Sequence, residues 1–94
     1  MKTVVLDLTG CKDTDDMHKR ILITFDFPPW YGRNWDALFD FLRTETDANI
    51  VLIKGESSLP EDMKSDIEKL HKIFQAVTAD QKNINWLFTY YVID

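Results

Sequence analysis

Ile50-Val51-Leu52-Ile53 is an apolar, largely β-branched run closed by Lys54-Gly55. Such a run predicts a central strand. Working outward toward the N-terminus, Trp35, Leu38, Phe39 and Leu42 recur at i, i+3, i+4 and i+7, the spacing of a helix with one buried face. That helix is expected over about 35–44, with Asn34 as its N-cap. Before it, Phe27-Pro28-Pro29 stops an earlier helix over about 14–25, because proline removes a donor and restricts the residue ahead of it. Asp13 or Thr14 caps that earlier helix, and Met17, Ile21 and Phe25 form its inner stripe with Leu22 alongside. Val4, Val5, Leu6 and Leu8 predict a first strand at about 2–8. On the C-terminal side, Ser58 with Glu61 resembles a capping box with Pro60 in the first turn. It opens a long helix to about 79, with Met63, Ile67, Leu70, Phe74 and Val77 facing inward and Glu61–Lys64, Asp66–Lys69 and Glu68–Lys72 expected to pair on its outer face. Ile84 to Ile93 is apolar on both alternating faces and reads as a last strand.

The order strand, helix, helix, strand, helix, strand favours parallel pairing through right-handed crossovers. The expected class is α/β: a small three-stranded parallel sheet packed with three main helices, forming a single domain over 1–94. The order of the strands within the sheet does not follow from the pattern.

The chain has 94 residues, 45% of them hydrophobic and 29% charged, a balance that argues against disorder. No apolar run approaches the ~20 residues of a membrane span. The N-terminus lacks the flank and apolar stretch of a signal peptide. Cys11 stands alone, so neither an internal disulfide nor a cysteine metal site is expected. A cytoplasmic protein is expected. The net charge of −5 weighs against direct nucleic-acid binding and against anionic membranes, and it permits a basic protein partner. The charge is unevenly spread. Residues 26–49 hold five acids against Arg33 and Arg43, and seven of the twelve aromatics fall between Phe25 and Phe41. Acids and rings on one short segment suit a binding surface.

The usual catalytic arrangements are missing. Gly10, Gly32 and Gly55 are scattered rather than gathered in a phosphate loop. His18 and His71 lie on helices with no metal-ligand spacing around them, and each reads as a surface or boundary residue. No catalytic residue, cofactor or metal is expected. Asp36 and Asp40 are more informative. At about 100° per residue they lie some 40° apart on one helix face, away from Leu38 and Leu42. Like charges four apart cost the helix about 0.2–0.5 kcal/mol. The helix dipole favours Asp36 in the first turn, but it does nothing for Asp40 in mid-helix. Two readings stay open: a solvated face in which Arg43 pairs with one of these aspartates, or an anionic docking site. Trp30 and Tyr31 precede the helix behind two prolines, and Phe39 borders its acidic face. Either these rings fold back onto the core, the favoured reading for Tyr31, or they anchor a partner.

Trp30-Tyr31-Gly32-Arg33-Asn34-Trp35-Asp36-Ala37-Leu38-Phe39-Asp40-Phe41-Leu42 resembles the signature of the barstar family of intracellular ribonuclease inhibitors: aromatic-Tyr-Gly-x-Asn-x-Asp-Ala-Leu-aromatic-Asp. The length and element order are also similar. The resemblance implies a three-stranded parallel sheet with helices, no catalysis, and a basic ribonuclease or related toxin as partner for an inhibitor that is monomeric when free. It implies that the second helix and its preceding loop cover the enzyme's active site. Asp40 would enter a phosphate pocket, Asp36 would add a charge-assisted contact, and Trp30 and Phe39 would be interfacial rings. The expected partner-binding set is Trp30, Tyr31, Gly32, Asn34, Asp36, Phe39, Asp40 and Arg43. Three departures stand out. Arg33 stands where the best-known member has an acid, Arg43-Thr44 follows Leu42 in place of the family's frequent Thr-Gly-Trp, and Ala76 occupies a position where that member offers an interfacial glutamate. These departures keep two alternatives open: an immunity protein for a different nuclease or toxin, and an interaction module with no toxin partner.

Overall fold

A computed structural model of the chain describes residues 1–80, 84 and 86–94. Strand β1 (Thr3–Asp7) leads to helices α1 (Thr14–Phe25) and α2 (Trp35–Thr44). Strand β2 (Ile50–Lys54), helix α3 (Lys64–Ala79) and strand β3 (Thr89–Val92) follow. The strands form one parallel sheet in the order β1-β2-β3, so Ile50–Ile53 is central as its composition predicts. Val5, Leu52 and Tyr91 share one register row. Strand order follows chain order, and successive right-handed crossovers advancing in one direction deliver their helices to the same face. The burial pattern shows the result. Val4, Leu6, Val51 and Ile53 are buried beneath the helices, whereas Thr3, Val5 and Asp7 are exposed on the opposite face.

The helix ends have local causes. The Asp13 side chain caps α1 by accepting from the Asp16 N–H at 2.8 Å. Asp26 closes the helix in the left-handed region, φ 55°, and the Phe27 N–H turns back to the Leu22 carbonyl at 3.0 Å. The expected capping box at Ser58 does not form. Short 3₁₀ turns at Glu56–Ser58 and Glu61–Met63 precede α3, and the Ser58 hydroxyl instead donates to the Gly55 carbonyl and accepts from the Gly10 N–H. Gly55 sits at φ 86°, and a Cβ there would collide with the Thr9 backbone, so glycine is required where the ends of β1 and β2 meet. The regular part of β3 is shorter than the apolar tail, and its Tyr91 and Val92 are exposed as befits an edge strand.

Inside, Met17, Ile21 and Phe25 of α1, Leu38 and Leu42 of α2, and Leu70, Phe74 and Val77 of α3 close over the sheet. This packing sets α2 beside α3 and leaves the outer face of α2 uncovered, which positions the site.

Candidate functional site: an acidic helix and its aromatic approach loop

The approach to α2 is built around Tyr31. Its N–H donates to the Pro28 carbonyl at 3.0 Å, and its ring packs with Phe27 and Phe41 at centroid distances of 5.2 and 5.3 Å. Its hydroxyl meets His18 Nδ1 of α1 at 2.7 Å. Tyr31 is only 3% exposed, so its ring folds back onto the core, the reading favoured for it from the sequence, and the side chain is a peg that holds the loop down. Burial pushes its phenol above the ordinary range. His18, expected near the surface, is 1% exposed, with the Trp35 ring 4.6 Å away on its other side. Burial lowers its pKa, because the charged imidazolium would lose its water. The sequence signal for this pairing was weak. His18 lies next to the Met17–Ile21–Phe25 stripe, but only packing reveals that α1 turns it toward the loop.

Trp30, one residue before Tyr31, is the opposite case. It is 77% exposed, a large ring held on the surface by an anchored neighbour. Gly32 passes close to the helix start, where a Cβ would lie 3.1 Å from Asn34 Nδ2. Arg33 adopts φ 52° and sits 3.4 Å from Asp15 of α1, so its charge is directed back toward the chain's own acid. Asn34 caps α2 as expected. Its Oδ1 accepts from the Ala37 N–H at 2.8 Å, and its Nδ2 donates to the Gly32 carbonyl at 3.2 Å. One side chain thus joins the loop to the helix.

On α2, Leu38 and Leu42 are fully buried while Asp36 and Asp40 are exposed. Neither carboxylate makes an ion pair or a side-chain hydrogen bond among the described residues. The solvated-face reading needed Arg43 to neutralise one of them. Arg43 turns elsewhere: its Nε lies 2.8 Å from Asp80 Oδ2 at the end of α3, and its guanidinium sits 4.9 Å above the Phe39 ring. Arg43 therefore orients Phe39 and occupies the α3 side of the face. Exposed Ala76 and Ala79 lie beside this contact. The outcome is a ridge carrying two unneutralised carboxylates one turn apart, with Phe39 on its flank and Trp30 in the loop that leads into it.

Cys11 is buried, with its thiol 3.5 Å from the Asp13 carbonyl, and burial raises its pKa. Among the described residues no group of three or more His, Cys, Asp or Glu side chains could hold a metal ion, and no helix is long and apolar enough to cross a membrane. The ridge is suited to binding cationic groups through charge-assisted hydrogen bonds.

A family model described as "Barstar (barnase inhibitor)" matches residues 1–92. A Bacillus subtilis (strain 168) protein named "Putative ribonuclease inhibitor YrdF" is 32% identical over 53 residues, covering 56% of this chain and 58% of that protein. The match to this relative thus spans a little over half of each chain.

Proposed function

The chain belongs to the barstar family, and from that premise we propose that it inhibits a ribonuclease by laying the acidic face of α2 and the Trp30 loop over the enzyme's active site. The observation that carries this reading is the state of Asp36 and Asp40: exposed, one turn apart, and without an ion-pair partner among the described residues, because Arg43 pairs with Asp80. A ribonuclease holds RNA phosphates with positive charge. Two rigidly spaced carboxylates can take the place of those phosphates. Inside the enzyme's mouth the contacts are desolvated and charge-assisted, so they gain strength that they lack on the free inhibitor. Trp30 supplies apolar area at the edge of the same surface, where a ring is an effective anchor. Tyr31 and Asn34 contribute by fixing the loop before the partner arrives, which reduces the ordering cost of binding.

The test is direct. The protein is titrated into barnase, and RNA cleavage is followed. Stoichiometric loss of cleavage supports the reading. Full cleavage at micromolar protein would refute inhibition of that enzyme and favour an immunity role toward a different nuclease.

A further inference from the structure

Beside the acidic ridge, α2 and α3 leave a groove of about 490 Å³ between them. Its walls are mostly apolar, Trp35 and Phe39 from α2 and Ile73 and Ala76 from α3, with Asp36 at the α2 edge. Its α3 rim is cationic. Lys69 and Lys72 are exposed there, and neither has an ion pair among the described residues. Asp66 and Glu68 on the same helix form no ion pair with them among the described residues. The two lysines and the two apolar wall residues fall at i, i+3, i+4 and i+7 along α3, so one helical stripe supplies both the charge and the wall.

We propose that this groove is a second recognition element, which receives an apolar ring of the ribonuclease presented next to a carboxylate. The proposal rests on the inhibitor reading, because the ribonuclease is the occupant. The apolar walls accept a ring, and the volume falls within the range of small ligand pockets. The unpaired ammonium groups select the neighbouring charge. An acid brought to the rim relieves the repulsion between Lys69 and Lys72, whereas a base adds to it. Asp36 and Phe39 belong to both the groove and the ridge, so a partner seated on the ridge passes directly over the groove. The surface is therefore bipolar. The anionic ridge demands a phosphate-binding mouth, and the cationic rim demands an acid at its border. A ribonuclease that is basic throughout is disfavoured at the rim, so the rim acts as a specificity device.

Two small molecules with the same ring test the chemistry. The isotope-labelled protein is titrated with indole-3-propionate and, separately, with tryptamine, while the Ile73 and Ala76 methyl signals and the Trp35 indole N–H are followed by NMR. The carboxylate is expected to saturate these signals at millimolar concentration and to bind at least fivefold more tightly than the amine. The double variant Lys69→Glu/Lys72→Glu should invert that order. Ala76→Glu, at an exposed position, should weaken the carboxylate alone. Thermal melts confirm that the variants are folded. Equal binding of the two probes, shifts scattered over the surface, or no response to charge reversal would overturn the proposal. Concentration-dependent shifts at the groove without any probe would assign it to a second copy of the chain and overturn it as well. The inhibitor reading is tested separately, by RNA cleavage by barnase in the presence of the unaltered protein, where full cleavage refutes inhibition of that enzyme and leaves the probe titrations unaffected.

Discussion

Asp40→Ala separates binding from folding with opposite signs. Asp40 is exposed in the middle of α2, and among the described residues its carboxylate has no hydrogen-bond or ion-pair partner. The Thr44 hydroxyl bonds to its backbone carbonyl at 2.9 Å, a contact that alanine retains. Replacing aspartate by alanine gains helix propensity, up to about 0.7 kcal/mol. It also removes a like-charge pair with Asp36 worth about 0.2–0.5 kcal/mol. The free protein should therefore become more stable, by up to about 1 kcal/mol, which raises Tm by up to about 4–8 °C in a domain of this size. If Asp40 enters a cationic pocket as proposed, the same change would leave that pocket desolvated and unpaired in the complex, at a cost of about 3–5 kcal/mol. At 1.4 kcal/mol per tenfold, that is a loss of about two to four decades in affinity. The assay pairs urea and thermal melts with inhibition of barnase. Asp62→Ala, an exposed acid outside the ridge, controls for the change in net charge. A variant destabilised by more than about 1 kcal/mol would show that Asp40 is structural, since no exposed, unpartnered carboxylate should cost that much. Undiminished inhibition would show that the ridge is not the contact surface.

Trp30→Ala should leave stability within about 0.5 kcal/mol and weaken inhibition by about 2 kcal/mol or more, checked by melts beside inhibition titrations. Asn34→Ala removes the α2 cap and the tie to Gly32, and should cost about 1–2 kcal/mol of stability in urea unfolding. His18 gives the stability a pH dependence whose sign follows from burial. Its folded pKa lies below the ordinary value of 6.5, so the unfolded chain binds more protons as pH falls past that value. Stability conferred by neutral His18 is fully present above about pH 6.5 and is lost as pH falls toward the folded pKa, at no more than about 1.4 kcal/mol per pH unit. Urea melts between pH 7.5 and 5 should show this slope, and His18→Gln should flatten it. Finally, stopped-flow association with barnase should slow steeply as salt rises while dissociation changes little. A salt-insensitive on-rate would point to a mainly apolar contact.

The regular elements were legible because each announces itself over a few neighbouring residues. The β-branched run at Ile50–Ile53, the 3.6-residue period from Trp35 to Leu42, and the Pro28-Pro29 break are local patterns with local causes. The acidic spacing of Asp36 and Asp40 was equally legible, since helix geometry alone puts them on one face. Ser58 misled because its hydroxyl had a competing partner in the Gly10 N–H, contributed by a segment far away in sequence.

Three matters depended on the assembled fold. Sequence pattern predicts three parallel strands but is indifferent to their order, and the order β1-β2-β3 places the helices over one face and leaves the other open. Trp30 and Tyr31 are adjacent rings of similar character, yet one is exposed and the other buried. The difference lies in α1, which brings His18 to the Tyr31 hydroxyl and offers Trp30 nothing comparable. Arg43 had helical neighbours within reach and paired instead with Asp80, which reaches it only because α3 packs beside α2. The sequence by itself determined that this protein carries an acidic, aromatic-flanked helix on a parallel α/β scaffold. Only tertiary structure decided that the two carboxylates have no partner among the described residues, because the arginine able to neutralise them is held by a residue at the end of another helix.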